Sequence, residues 1–206
     1  MDQTHPEFSA EEMPIAPRVV VIGASTGGPS ALAQILKQLP EKIPIPIFVA
    51  QHMPEEFLPD FVKGLRKEAC DNIHLATQNQ RIEAGHIYIS PSDRDALVII
   101  DPLGDYHVIL VDAYSDLRPS IDRLMASVAT VYGAGCLGII LTGMGTDGLE
   151  GMRAIKAMGG RTVVQDKATS AVYGMAHAVE SEQLADAVLP LSEIANRIIE
   201  WGSRYV

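Results

Sequence analysis

A serine, a histidine and an aspartate, the side chains that nucleophilic acyl transfer requires, each occur here just after a run of buried-strand character. Ser25 sits in Gly23-x-Ser25-x-Gly27, which matches the nucleophile-elbow pattern between a strand and a helix. Flanking glycines let the backbone turn sharply, so the hydroxyl stands clear of neighbouring Cβ atoms. The helix expected near Pro29 aims its N-terminal amides at this loop and favours an oxyanion. Glycines ahead of a helix also cradle phosphates. The spacing is wrong for GxGxxG and no GK[ST] follows, so the loop alone leaves a hydrolase and an anion site as alternatives.

Of the histidines at 5, 52, 74, 86, 107 and 177, only His52 ends a buried-strand pattern predicted to lie beside the Ser25 strand. An imidazole takes up a proton near neutral pH, as a general base must. Asp147 lies in a glycine-rich loop, Thr142-Gly143-Met144-Gly145-Thr146-Asp147-Gly148, just before a helical pattern. It could cap that helix, and a cap and a catalytic role can coexist. Asp166, after another predicted strand, is the rival third member. Asp147 is preferred because the Gly143-Met144-Gly145 turn also offers backbone N–H groups to an oxyanion, whereas Asp166 lies in an ordinary polar loop. The chain order Ser…His…Asp is neither that of α/β-hydrolases nor that of chymotrypsin- or subtilisin-like proteases. A different scaffold carries the constellation.

The elements that must position these residues follow from hydrophobic patterning. Residues 18–23 and 45–51 read as buried parallel strands, each followed by a helix: one over 31–39, and one opened by Pro54 with Phe57, Phe61, Val62 and Leu65 at helical spacing. Short strand-like runs at 73–75, 86–89, 97–100 and 106–111 are separated by Gly, Pro and Asp. Leu103-Gly104-Asp105 looks like a hairpin turn, so antiparallel pairing is expected through this middle section. Alternation then resumes: helix 120–132, strand 136–141, helix 149–158, strand 162–165, a short helix near 173–179, strand 187–189 and a helix from Ser192. The expected class is α/β: a three-layer α/β/α sandwich on a doubly wound, mostly parallel sheet with a short antiparallel β insert. In such sheets the reactive crevice lies beyond the carboxyl ends of the strands, where Ser25, His52 and Asp147 fall together.

Composition narrows the function classes. With 206 residues and 47% hydrophobic, the chain can bury a sizeable core as one domain, and main-state disorder is excluded. A formal charge of −10 argues against nucleic acid as a partner, since phosphates call for a basic face. Cys70 and Cys136 form no framework or metal-ligand spacing and read as core hydrophobes in a reducing, cytoplasmic setting. Residues 1–17 lack a signal-peptide core, and no apolar run approaches the roughly 18 residues of a membrane span, so direct membrane insertion is not expected.

The segments VVVIGASTGGPSAL (19–32), QHMPEEF (51–57), GHIYISPSD (85–93), RPSID (118–122), GIILTGMGTDGLEGM (138–152) and VVQDKATSAVYGM (163–175) closely resemble the catalytic domain of CheB-type protein-glutamate methylesterases. The resemblance covers essentially the whole chain after residue 17. It implies a serine-type carboxylic ester hydrolase that acts in chemotaxis adaptation on glutamate γ-methyl esters of chemoreceptor cytoplasmic helices, with glutamine deamidation as a further activity. Motif by motif, the nucleophile falls on Ser25, the base on His52, the orienting acid on Asp147, the oxyanion donor on the Met144 amide and a supporting polar contact on Thr26. No metal or organic cofactor is implied.

The domain expectation is a flexible leader over residues 1–17 and a catalytic domain over 18–206. The leader has no room for the receiver domain usual in the family, so a separate regulatory partner is an open expectation. Three departures from the family pattern stand out. Residues 111–117 are short and acidic where glycine and proline are common, Ala176 stands where a proline is usual, and Lys167 stands where an acid is frequent.

Overall fold

Seven parallel strands form the centre of the computed structural model, which describes residues 18–41, 43–113 and 117–203. The predicted leader over 1–17, and residues 114–116 of the acidic stretch 111–117, lie outside the described residues. Strands β1 (Val19–Ala24), β2 (Ile47–Gln51), β3 (Ile73–Leu75), β5 (Ile87–Ile89), β8 (Cys136–Ile140), β9 (Arg161–Gln165) and β10 (Ala187–Leu189) run in the order β10-β9-β8-β1-β2-β5-β3. A second sheet, β4-β7-β6, pairs β4 (Gln80–Arg81), β7 (Tyr106–Asp112) and β6 (Arg94–Ile100) antiparallel. The helices are α1 (Gly28–Leu36), α2 (Leu58–Glu68), α3 (Ile121–Tyr132), α4 (Leu149–Ala157), α5 (Gly174–Ser181) and α6 (Leu191–Ser203).

Both faces of the parallel sheet are covered, which is why its strands read as unbroken apolar runs. Val20, Ile22 and Ala24 of β1 join α1, α2 and α6 in one core, while Val19 and Val21 join α3, α4, α5 and the antiparallel sheet in the other. This is the three-layer, doubly wound arrangement expected from the sequence. The chain winds outward from β1 through β2, then returns to β8 on the other flank, so strand order reverses at β1. The crevice above that reversal is where open α/β sheets place ligands.

The antiparallel insert is smaller than expected. β3 and β5 do not pair antiparallel; β5 adds parallel to β2, with Ile47 opposite Ile87, and β3 adds parallel to β5. Their residues are too few to show a face pattern, and the hairpin signal at Leu103-Gly104-Asp105 governs only β6 and β7. Helix α1 also begins three residues earlier than its apolar spacing suggests, at Gly28 rather than Ala31, because Gly27 adopts φ +82° and closes the turn at once. β2 starts after Pro46, which cannot donate to a central ladder. Among the described residues no helix is long and apolar enough to cross a membrane.

Candidate active site

Three adjacent strands, β8-β1-β2, deliver the candidate residues to one edge. Ser25 follows β1, His52 follows β2, and Asp147 lies in the loop between β8 and α4. His52 Nδ1 lies 3.2 Å from Ser25 Oγ, and His52 Nε2 lies 2.7 Å from Asp147 Oδ2. A carboxylate facing Nε2 accepts a hydrogen bond, so Nε2 carries the proton and Nδ1 is left to accept from the serine. The ring is used in the opposite sense to the chymotrypsin-type triad, where Nε2 faces the serine. The His52 and Asp147 side chains are only 9% and 11% exposed, which keeps their interaction poorly screened.

Asp147 is held by more than the histidine. Its Oδ2 also accepts from Ile121 N at 2.9 Å and its Oδ1 from Asp122 N at 3.0 Å, the first two amides of α3. Burial pushes the Asp147 carboxyl up, but the bonds from His52 and these amides outweigh it and hold it below the ordinary aspartate range. The alternative of a cap on the following helix does not hold: Gly148, at φ +101°, is the N-cap of α4, and Asp147 serves α3 instead. Asp122 returns the favour, with Oδ1 accepting from Gly148 N and Gly151 N, both at 2.8 Å. Burial first, and the charge of Asp147 beside it, push the Asp122 carboxyl up.

The rival acid is engaged elsewhere. Asp166 Oδ1 accepts from Thr169 N at 2.9 Å and Thr169 Oγ1 at 2.6 Å, closing its own loop. Several of the backbone donors at the start of α1 are already engaged or missing. Gly28 N donates to Ser25 O, Pro29 has no N–H, and Ser25 N donates to Thr142 O. On the opposite rim, the Met144 N–H has no partner among the described residues, and its side chain is 74% exposed. Thr26 is exposed, and its carbonyl accepts from Thr142 Oγ1 at 2.9 Å.

Gly143 is required by close approach, since a Cβ there would come within 2.8 Å of Ser25 Cβ. Gly23 lies within β1 rather than in the turn, and its missing Cβ makes room for Ile121 at the head of α3.

Beneath these loops lies a layer of buried polar residues to which the sequence motifs assign no role: Gln51, Thr142 and Gln165, each no more than 2% exposed. Gln51 Nε2 donates to Ser25 O and His52 O, and Thr142 N donates to Gln165 Oε1. A polar amide closing an otherwise apolar strand, as in Ile47–Gln51, is the signal that could have found Gln51, and Gln165 closes β9 in the same terminal place. Asp122 was within sight in RPSID, but its partners lie 26 and 29 residues away.

A cleft of about 550 Å³ opens beside the triad, lined by His52, Pro54, Glu55, Asp93, Leu117 and Arg118 among others. Phe57 in the short 3-10 turn before α2, Leu117 ahead of α3 and Met144 after β8 stand exposed as apolar side chains. Among the described residues the trio that could approach a cation, Asp101, Asp105 and His107, belongs to the β6–β7 hairpin, and Arg81 and turn amides already engage its carboxylates.

Fold and site together define an α/β protein with a Ser–His–Asp constellation at the carboxyl edge of a parallel sheet. The CheB methylesterase family matches residues 20–198, and the chain belongs to that family. A protein-glutamate methylesterase/protein-glutamine glutaminase of Desulfitobacterium hafniense (strain Y51) is 40% identical over 201 residues, covering 95% of this chain and 51% of that protein. One of the same description from Anaeromyxobacter dehalogenans (strain 2CP-C) is 44% identical over 184 residues, covering 88% and 52%. The chain thus spans about half the length of these relatives. The crystal structure of the Thermotoga maritima CheB methylesterase catalytic domain matches with a TM-score of 0.85 at 34% identity, covering 90% of this chain and 99% of that one.

Proposed function

We propose that residues 18–206 form a catalytic domain that hydrolyses glutamate γ-methyl esters on cytoplasmic helices of chemoreceptors. The observation that carries this reading is the unbroken contact chain from Ser25 Oγ through both nitrogens of His52 to Asp147, in a member of this family. His52 Nδ1 takes the Ser25 proton as Oγ attacks the ester carbonyl carbon. The carbonyl oxygen becomes an oxyanion, for which the unpartnered Met144 N–H is the donor we assign, with Thr26 at its border. Collapse breaks the ester C–O bond, and methanol leaves with the proton from Nδ1. Water, deprotonated by the same nitrogen, attacks the acyl-serine, frees the glutamate carboxylate and restores Ser25. Asp147 keeps the proton on Nε2 and stabilises the imidazolium. With ammonia as leaving group the same steps deamidate glutamine, in keeping with the paired activities in the relatives' names.

The substrate side favours a protein over a small molecule. The cleft is open, exposed Leu117 lines it, and Phe57 and Met144 stand exposed on the segments that follow β2 and β8 as further apolar contacts for a partner surface. The setting is cytoplasmic, with no nucleic acid, no organic cofactor and no metal in the chemistry. The test measures methanol release by the purified chain from membranes bearing methylated receptor, beside a small glutamate methyl ester. Receptor turnover far above that of the small ester is the expected result. Equal rates would favour a general esterase, and a Ser25 that resists fluorophosphonate labelling would leave only a binding module.

A further inference from the structure

We propose that Gln51 is a positioning residue that holds the nucleophile and the base in register, an inference that rests on the hydrolytic reading of Ser25 and His52. The ladder between β1 and β2 reaches Ala24 opposite Gln51, and His52 N donates to Ala24 O at 3.0 Å. Ser25 N lies on the other side of β1 and donates to Thr142 O at 3.0 Å, and beyond the His52–Ala24 rung no backbone hydrogen bond joins the two loops among the described residues. The Gln51 carboxamide spans the gap. Its Nε2 donates to Ser25 O and to His52 O, each at 2.9 Å, so one side chain ties together the backbones of the two residues whose side chains react.

Both acceptors are carbonyls, so the amide nitrogen must face them. Oε1 is then turned towards Gly28, where any Cβ would collide with it, and it is buried without a partner among the described residues. A buried unpaired acceptor is destabilising. Every other residue of β2 is apolar and buried, and an apolar side chain at 51 would avoid leaving Oε1 unpaired. The cost of Oε1 is set against the two bonds that Nε2 donates, and both of these go to the residues whose side chains react. That placement constrains the Oγ–Nδ1 approach, and rate falls steeply with misplacement of reacting groups.

The test compares Gln51→Met, which keeps length and loses both N–H groups, with Thr162→Val, which removes buried hydrogen bonds at the opposite edge of the sheet. For Gln51→Met, kcat on a methyl ester should fall about 10- to 100-fold with KM within about twofold. The fluorophosphonate labelling rate of Ser25 should fall in parallel. Thr162→Val should lower Tm and leave kcat unchanged. If Gln51→Met fails to fold, Gln51→Asn serves, since its amide is one methylene too short to span both carbonyls. Combined with His52→Gln, the Gln51 change should add little further loss, as expected for residues that act as a unit. Wild-type kcat and labelling rate in either Gln51 variant, with only Tm reduced, overturns the proposal. So does a change confined to KM. A wild-type chain that neither labels nor hydrolyses the ester would instead fail at the underlying reading.

Discussion

The two nitrogens of His52 have different partners, and that asymmetry sets what each substitution should do. Ser25→Ala removes the proposed nucleophile and His52→Gln the proposed base, so each is expected to abolish nearly all turnover with Tm little changed. Steady-state hydrolysis and thermal melting check this, and more than a few per cent activity in Ser25→Ala would sink the covalent route. Asp147→Asn with its NH2 in the Oδ2 place keeps an oxygen for Asp122 N only, and that NH2 faces both Ile121 N and Nε2, which then favours the wrong tautomer. The corresponding change in a serine protease costs about 10⁴ in kcat, and we expect about 10²- to 10⁴-fold here. Asp166→Asn should leave kcat near wild type, since that carboxylate closes its own loop on Thr169. Met144→Ala preserves the backbone N–H, so kcat should survive far better than in Asp147→Asn, with any loss showing in KM for the receptor. A crippled Asp166→Asn beside an active Asp147→Asn would refute the acid assignment.

Helices α3 and α4 are locked head to head by an exchange of carboxylates. Asp147 sits on the N-terminus of α3 and Asp122 on that of α4, each charge favoured by the other helix's amides and dipole. The two negative charges are also neighbours, which is why the Asp122 carboxyl is pushed up while that of Asp147 is held down. Asp122→Asn keeps an oxygen for Gly148 and Gly151 and removes the repulsion, so at neutral pH its Tm should equal or exceed that of wild type. Asp122→Ala loses both caps and should cost about 1–3 kcal/mol. Because the Asp147 loop then loosens, kcat should fall as well. Chemical denaturation and steady-state kinetics on the two variants separate charge from cap. Equal destabilisation of both would mean that the carboxylate charge itself is needed.

Support for the site reaches across the whole molecule. Asp95 of β6, only 1% exposed, accepts from Ser120 N at 2.8 Å and Arg123 at 2.6 Å, so the antiparallel sheet anchors the start of α3. Arg123→Ala should cost about 1–3 kcal/mol, less than the roughly 3–5 of a fully buried pair, because the arginine side chain is 34% exposed.

Stability should also depend on pH in two opposed ways. The lowered Asp147 group contributes stability above its unfolded pKa, which is lost as pH falls through its folded value, below about pH 4. The raised Asp122 group contributes stability that is present in acid and lost as pH rises through its folded value, above about pH 4. Against wild type, Asp147→Asn should therefore melt with a weaker acid dependence, and Asp122→Asn should gain relative Tm as pH rises from 4 to 8. Tm measured from about pH 2 to 8 for all three proteins checks both signs.

Local pattern was enough to reveal much of this architecture. β-branched runs without a polar face require burial on both sides, hence a parallel sheet between helices, and loops at the strand ends bring Ser25, His52 and Asp147 to one edge. Which strands pair in the middle was not legible, because β3 and β5 have three residues each and carry no period that separates a parallel neighbour from an antiparallel one. The partners of the polar groups were equally out of reach. Asp147 reads locally as the cap of the helix that follows it, yet it caps one that begins 26 residues earlier, and the Gln51 amide closes a gap to a loop 26 residues back. Hydrogen bonds of that range are set by where packed layers bring backbone ends together. The sequence by itself determined which residues could react and on which edge. Only the tertiary structure decided which nitrogen of His52 faces the serine, which acid faces the other, and what holds them there, because those choices depend on contacts that exist only once the layers have packed.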